Sequence, residues 1–388
     1  METRKLYYED CHLAEFSATV TGCRETEKGF LITLDATAFY PEGGGQACDL
    51  GTLGNAAVLD VREQDDTLVH LCDQPLPVGS TVTGKIDWAR RFDLMQQHTG
   101  EHIVSGIIHR MYGWHNVGFH VGADTVTIDF DGPISRDALA NIELEANTAL
   151  WQNLPVRCYY PSQEVLPTVP YRSKKALPWP VRVVEVPGFD TCACCGVHVA
   201  YTGEIGLIKL LTCVKFHQGV RIEMACGKRA FQLLSKVWEQ NLLVSQAFSA
   251  KVLETGAAAQ RINDALSAEK YRAAALEKQI FESIAKNYVN SGNVLHMQPG
   301  LTPGAVRELA DRIAEVCGGI AAVISGQSIC LICKNGDVKM LGTKLCEQLC
   351  GRGGGKPGSF QGNLSATPAE IQNFFLSEKF DIRSNLEQ

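Results

Sequence analysis

Between Asp87 and Gly113 the chain runs DWARRFDLMQQHTGEHIVSGIIHRMYG, a helix whose two ends are both written in the sequence. Asp87 is an N-cap residue type, Phe92, Met95, His102 and Ile103 recur at helical spacing, and Gly113 ends the run. His98 and His102 lie four apart, so both imidazoles project from one face about one turn apart. Met95 shares that stripe and turns it inward. Two inward histidines at this spacing are either half of a metal site or satisfied core residues, and the spacing alone leaves both open.

On the N-terminal side, residues 1–86 carry short β-branched runs (Ala18-Thr19-Val20-Thr21, Phe30-Leu31-Ile32-Thr33-Leu34, Ala57-Val58-Leu59-Asp60-Val61) separated by turn residues, the pattern of a small barrel-like or sandwich β domain. Within it stands Phe39-Tyr40-Pro41-Glu42-Gly43-Gly44-Gly45-Gln46, whose glycines permit positive φ and close backbone approach, or a plain tight turn. On the C-terminal side, residues 87–227 combine the helix with strands such as 125–130 and a second helix near Leu139 to Trp151, an α+β domain. Residues 228–293 form a helical, coiled-coil-like arm and linker. There Ile262, Leu266, Ala273, Leu276 and Ile280 alternate by threes and fours, with an interruption near Gly256. Residues 294–388 are a third, C-terminal α/β glycine-rich unit. The expected fold class is therefore α+β in these four segments.

The chain has 388 residues and a net charge of −7, and 45% of its residues are hydrophobic, which excludes a disordered chain. Its 36 glycines follow no G-X-Y period, which excludes collagen. The apolar run Cys317 to Cys333 is broken by Ser325-Gly326-Gln327-Ser328 and reads as strand, turn and strand rather than a membrane span. The charged opening Met1-Glu2-Thr3-Arg4-Lys5 shows no secretory pattern, so a cytoplasmic location is expected. There the 15 cysteines stay reduced, most of them as small buried hydrophobes.

The exception is Cys192-Ala193-Cys194-Cys195-Gly196-Val197-His198. Cys194 and His198, with Cys195 as the competing thiol, can close a loop around one ion. With His98 and His102 they supply three imidazoles and a thiolate, a set suited to tetrahedral Zn2+. His98-Thr99-Gly100-Glu101-His102 also satisfies the H-x-x-E-H letters of inverted zinc proteases. Such a protease needs an acidic third ligand, and here a Cys/His pair presents itself instead. Three residues of helix carry Glu101 about 300° around the axis from His98, which weighs against it as a water-orienting base. A zinc that only staples the fold is the other reading.

The glycine run 39–46, the His98/His102 pair, and Cys194-Cys195-Gly196-Val197-His198 followed by Thr202-Gly203-Glu204-Ile205-Gly206 together resemble the editing domain of alanyl-tRNA synthetase. They are most similar to its free-standing relatives, the AlaX trans-editing family, in the long form. Arg221-Ile222-Glu223 resembles the segment closing that domain. Gly351-Arg352-Gly353-Gly354-Gly355-Lys356-Pro357 resembles the C-terminal domain shared with DHH-type phosphoesterases, although no Asp-His-His triplet occurs. The family usually writes Cys-Gly-Gly-Thr-His where this chain has Cys195 and Val197.

The resemblance implies hydrolysis of mischarged seryl-tRNA(Ala), with the glycyl ester as a second candidate, in trans. Serine differs from alanine by a hydroxyl that an apolar pocket rejects poorly, so a second site is needed. Thr37 and Gln46 flank the glycine loop and are the residues expected to read that hydroxyl. Arg90-Arg91, Arg172 with Lys174-Lys175, Lys228-Arg229, and Arg352 with Lys356 are the expected basic contacts to tRNA in an otherwise acidic protein. No DNA or membrane partner is expected, and a homodimer would form through the arm or the C-terminal domain. The rival reading is a non-catalytic tRNA-binding or synthetase-associated protein with a structural zinc.

Overall fold

The computed structural model describes residues 3–64, 67–173 and 177–384. The chain divides into two compact units, Met1–Leu243 and Val244–Gln388, and the expected segments 1–86 and 87–227 both lie in the first.

In the first unit, Glu15–Thr26 pairs with Gly29–Leu34, then in turn follow Thr67–Cys72, Ala56–Gln64, Gly51–Leu53 and Thr81–Ile86, which pairs back to Glu15–Thr26. The sheet closes into a barrel and so exposes no free edge. Thr81–Ile86 alternates exposed and buried at every residue, as a strand with one dry face requires. Val20, Ile32, Leu53 and Val61 fill the interior. Among them sits a polar pair. His70 Nδ1 donates to Ile32 O at 3.1 Å, so its Nε2 is an acceptor, and the Thr37 hydroxyl donates to it at 2.9 Å.

Helix α1 (Trp88–Tyr112) follows the barrel. The Asp87 carboxylate accepts from Arg90 N–H at 3.1 Å, and Gly113 closes the helix in the left-handed region at φ 75°. Every residue from Leu94 to Ile108 is buried, so this helix is enclosed on all sides and its polar side chains must find partners. Gln97 pairs with both backbone groups of Cys226, at 2.8 and 3.0 Å. Arg91, fully buried, binds the Asp49 carboxylate and Ala38 O, and Asp49 also accepts from Tyr40 N–H at 2.6 Å. Asp49 thus ties the glycine-loop region of the barrel to the helix.

Around α1 lie a four-stranded antiparallel sheet (Ile208–Phe216, Gly219–Cys226, Val126–Phe130, Asn116–Val121), a three-stranded sheet (Arg157–Tyr159, Val183–Val186, Asp190–Ala193) and helix α2 (Arg136–Trp151). Helix α3 (Gly227–Ala247) follows. The interruption in the long helical stretch falls at residues 248–254, just ahead of Gly256, which sits in the first turn of α4 (Thr255–Lys286).

In the second unit, a six-stranded mixed sheet carries Gly292–Met297 inside and Arg352–Lys356 at one edge, with helices α5 (Pro303–Cys317), α6 (Lys339–Gln348) and α7 (Pro368–Ser377). Gly318–Ser325 and Ser328–Cys333 are the strand-turn-strand read from the sequence. The stripe Ile262, Leu266, Leu276, Ile280 of α4 is exposed. All 15 cysteines are free, but only five are buried, fewer than expected. Among the described residues no helix is long and apolar enough to cross a membrane.

Burial lowers the His70 pKa to about 4, because the charged ring cannot be hydrated inside the barrel. The unfolded chain protonates the same ring near its ordinary value of about 6.5. Protons therefore bind the unfolded state first, and the His70 contribution to stability falls by about 3 kcal/mol as pH drops from about 6.5 to about 4. Urea denaturation of the wild type and of His70→Gln across this window checks it: the variant's stability should fall by about 3 kcal/mol less than the wild type's over the same pH range.

Candidate metal centre and its cavity

His98 and His102 from α1 meet Cys194 and His198 from the loop after Asp190–Ala193, and one ligand-capable atom of each lies within 4.8 Å of all the others. The Cys194 Sγ to His98 Nε2 separation is 3.4 Å. A tetrahedral zinc with ordinary Zn–N and Zn–S lengths would give an edge of about 3.5 Å. Three ring pairs stand at centroid separations of 5.2, 4.6 and 4.7 Å.

Each imidazole is held from behind through Nδ1. His98 Nδ1 meets Gln46 Oε1 at 2.9 Å, His102 Nδ1 meets Asp190 Oδ2 at 3.0 Å, and His198 Nδ1 meets Thr99 Oγ1 at 3.2 Å. A carboxylate and an amide oxygen only accept, so His98 and His102 must donate from Nδ1, which leaves their Nε2 lone pairs for the centre. His198 Nε2 is buried without a hydrogen-bond partner. An orphaned imidazole nitrogen beside a low-pKa thiol and two more inward Nε2 atoms is a donor set that fits a metal ion and is compatible with zinc.

Among themselves the four side chains have the electrostatics of a thiolate–imidazolium pair: burial lowers His102, but Cys194 and Asp190 outweigh it and raise it well above its ordinary value. Burial pushes the Cys194 thiol up, but His98 and His102 outweigh it and hold the thiol well below its ordinary value. Burial and then the neighbouring His98 lower His198 to about 3, so it stays neutral. Burial likewise opposes ionisation of Asp190, yet hydrogen bonds from His102 and Arg172 keep it a carboxylate. Arg172 grips Asp190 with two bonds, at 2.7 and 2.9 Å.

The loop is fixed by Arg182, which donates to Cys194 O at 2.9 Å and Gly196 O at 2.8 Å and lies 4.4 Å over the Tyr8 ring. Tyr8 donates to Cys195 O at 2.7 Å. Cys195 is exposed and its Sγ is not in the cluster. Gly196 is demanded by contact: a Cβ there would stand 2.1 Å from His98 Cε1. Gly45, at φ +83°, meets Phe119, which stacks on His98 at 5.2 Å.

Beside the cluster opens a cavity of about 1470 Å³, walled by Gly44, Gly45, His98, His102, Phe119 and Cys194 among others. Gln46 reaches the cluster from the glycine loop, and its Nε2 is buried and unpartnered. Neither Thr37 nor Gln46 is among the residues lining the cavity, and Thr37 is the more remote from the centre in its bonding. Its hydroxyl donates to His70 and accepts from Phe39 N–H at 3.1 Å inside the barrel, so geometry gives it no part in reading a substrate hydroxyl. Glu101 does line the cavity. Three residues along a helix fall just short of one full turn, so it flanks His98 rather than facing away. Sequence reasoning misses Asp190, Arg172 and Thr99 as parts of the site; an acidic residue two positions before Cys192 is the one available signal for the first.

Several expected basic contacts turn inward. Arg91 is buried on Asp49, Arg172 on Asp190, and Arg229 binds Asp93 and Gly122 O. Lys174 and Lys175 lie outside the described residues. Arg352 and Lys356 stand exposed on their edge strand.

Two family models match the chain: tRNA synthetases class II (A), over residues 2–90, and the threonyl and alanyl tRNA synthetase second additional domain, over residues 181–225. The chain is 31% identical to an alanine–tRNA ligase of Thermofilum pendens across 94% of its own length, but spans only 42% of that ligase. It is 29% identical to alanyl-tRNA editing protein Aarsd1-A of Xenopus laevis, covering 93% of this chain and 92% of that one. It is 28% identical to alanyl-tRNA editing protein AlaX-L of Pyrococcus horikoshii, over 99% of both.

Outer partners of metal-bound histidines change affinity by about 10–100-fold when removed. Asp190→Asn keeps an acceptor for His102 but weakens the charge that Arg172 and the ring share. Zinc competition against a chelating indicator should show a loss in that range, and unchanged affinity would sever Asp190 from the centre.

Proposed function

Because this chain is similar over nearly its whole length to alanyl-tRNA editing proteins of the long AlaX form, we propose that it is a trans-editing deacylase, hydrolysing the ester of seryl-tRNA(Ala) and, as a second substrate, glycyl-tRNA(Ala). The observation that carries this reading is the four-donor cluster set in the wall of a cavity larger than the roughly 300–1,000 Å³ of ordinary small-ligand sites. That volume suits an amino acid joined to the terminal nucleoside of a larger molecule.

His98, His102, Cys194 and His198 would hold the zinc, which supplies Lewis acidity and links two stretches of chain nearly a hundred residues apart. Gln46 has its Oε1 occupied by His98 and by Val197 N–H at 3.3 Å. Its Nε2 is the unpartnered donor behind His98 and is assigned to the serine hydroxyl or the ester carbonyl, and alanine offers that group nothing at the first of these. Gln46 does not itself line the cavity, so this contact requires its amide to turn toward the cavity. Arg352 and Lys356, free of carboxylate partners in the ion pairs of the described residues, are the proposed phosphate contacts in the second unit. The four segments 1–86, 87–227, 228–293 and 294–388 are the proposed working division, in the cytoplasm, with the exposed α4 stripe as the proposed homodimer contact.

Four protein donors also saturate a tetrahedral ion, as structural zinc sites do. That favours, as the second reading, a silent tRNA-binding protein. Incubation with seryl-, glycyl- and alanyl-tRNA(Ala) separates the two. Seryl-tRNA should lose its ester at least about 100-fold faster than alanyl-tRNA, since a site that hydrogen-bonds a hydroxyl discriminates strongly. His102→Ala should retain no zinc and fall to background hydrolysis while still binding tRNA. Intact seryl-tRNA in the presence of bound, zinc-loaded wild type would establish the silent reading.

A further inference from the structure

Along α1, next to the metal cluster, Glu101, Ser105 and Asn116 form a buried polar group with no place in the centre itself. Glu101 Oε1 accepts from Ser105 Oγ and from Asn116 Nδ2, both at 2.5 Å, and Asn116 Nδ2 also donates to Ser105 Oγ at 3.1 Å. The carboxylate can only accept, so the amide must turn its NH2 toward it, and this fixes the Asn116 carbonyl on the other side. That Oδ1 is buried with no partner, on a side chain only 7% exposed. Among the described residues none donates to Glu101 Oε2. Both Glu101 and Asn116 line the cavity that His98, His102 and Cys194 also line.

Two acceptors and one negative charge are thereby presented on the cavity wall, and no donor of this trio is left over. The chemistry that completes them is a cation carrying several N–H donors. A primary ammonium fits, whereas a phosphate or carboxylate would be repelled. The neighbouring cations do not supply the missing donors: Arg172 attracts Glu101 through space but gives its hydrogen bonds to Asp190, and Arg110 is bound to Glu145.

We propose that Glu101, with the Asn116 carbonyl beside it, binds the α-ammonium of the aminoacyl ester and so restricts the enzyme to esters with a free amino group. This rests on the deacylase reading and names the substrate class of the same site. Peptidyl-tRNA and other N-acylated esters, whose α-nitrogen is a neutral amide with at most one N–H, are refused. An ammonium held on a carboxylate has no lone pair for a metal, so the amino group is recognised by the protein and not by the zinc.

The test uses the full-length, zinc-loaded protein and two non-hydrolysable probes, 3′-deoxy-3′-(L-serylamino)adenosine and its N-acetyl derivative, with binding followed by calorimetry. A hydrogen bond to a charged group contributes enough for about a 10- to 100-fold effect on affinity. Wild type should prefer the free amine by that factor. Glu101→Gln should lose the preference while binding the N-acetyl probe as before. Asn116→Ala, which keeps the carboxylate, should weaken the free-amine probe alone, by about threefold. If Glu101→Gln binds neither probe, the Asn116→Ala difference decides. Equal loss on both probes, or no preference in the wild type, overturns the proposal. Seryl- and N-acetyl-seryl-tRNA(Ala) hydrolysis by the wild type is run alongside. Hydrolysis of both at similar rates overturns the ammonium site and leaves the deacylase standing, whereas hydrolysis of neither removes the deacylase reading and leaves the probes to judge the site.

Discussion

Three imidazoles aim at one point because each is tethered at the far side of its ring. A neutral histidine has one donor and one acceptor nitrogen, and the partner of the first decides where the second points. Here Gln46, Thr99 and Asp190 take the Nδ1 sides, and they come from the barrel loop, from α1 itself and from the strand that leads to Cys194. The closed barrel, the enclosed helix and the three-stranded sheet each contribute one tether. The folding of the first unit and the assembly of the centre are consequently one problem. Asp49, bonded to both Arg91 and Tyr40 N–H, keeps the loop that carries Gln46 from drifting off the helix that carries His98.

Such a constraint explains why so enclosed a helix tolerates so many polar residues. An unpaired buried polar group costs roughly 1–3 kcal/mol, and α1 buries Gln96, Gln97, Thr99 and Ser105 besides its histidines and Glu101. Gln97 offsets that cost by acting as a strand edge for Cys226, and Thr99 by accepting from Val199 N–H while it tethers His198. The atoms left without partners are few, and those on Gln46, Asn116 and His198 belong to the centre or the cavity wall beside it. The fourth among the described residues, Arg91 Nη1, sits on the buried Arg91–Asp49 pair, so unmatched polarity is concentrated at the centre without being limited to it.

Much of this was legible from residue order. The caps of α1, the spacing of His98 and His102, and the Cys194/His198 pair follow from local rules that burial does not change. What could not be read is what depends on where strands send their side chains once a sheet closes. Thr37 sits next to the glycine loop in sequence, yet Thr37 points into the barrel, where its hydroxyl donates a hydrogen bond to His70. Arg91 and Arg172 look like phosphate contacts beside other basic residues, yet each meets a carboxylate far away in sequence, 42 and 18 positions off. Sequence proximity groups charges, and only the fold shows which of them are already neutralised. Glu101 was different: its place on the helix was available from the sequence and, measured the short way around the axis rather than the long way, puts it beside His98.

The charges that remain are arranged with opposite signs around the same cavity. Arg182 also lines it, and its hydrogen-bond partners are two backbone carbonyls, Cys194 O and Gly196 O, and its stacking partner the neutral Tyr8 ring. Its positive charge is therefore not cancelled by a carboxylate in those contacts, while Glu101 accepts hydrogen bonds only from neutral donors and feels Arg172 through space. An aminoacyl ester of a nucleic acid carries an ammonium at one end and phosphates at the other, with the bond to be cut between them. A wall that carries Glu101, Arg182, the His98 and His102 imidazoles and the Cys194 thiol offers the two ends of such a molecule different partners and so favours one orientation over the reverse. Electrostatic complementarity of this kind selects register more than it adds affinity, and register is what the proposed editing of a seryl ester needs, since that ester and the alanyl one differ by a single hydroxyl.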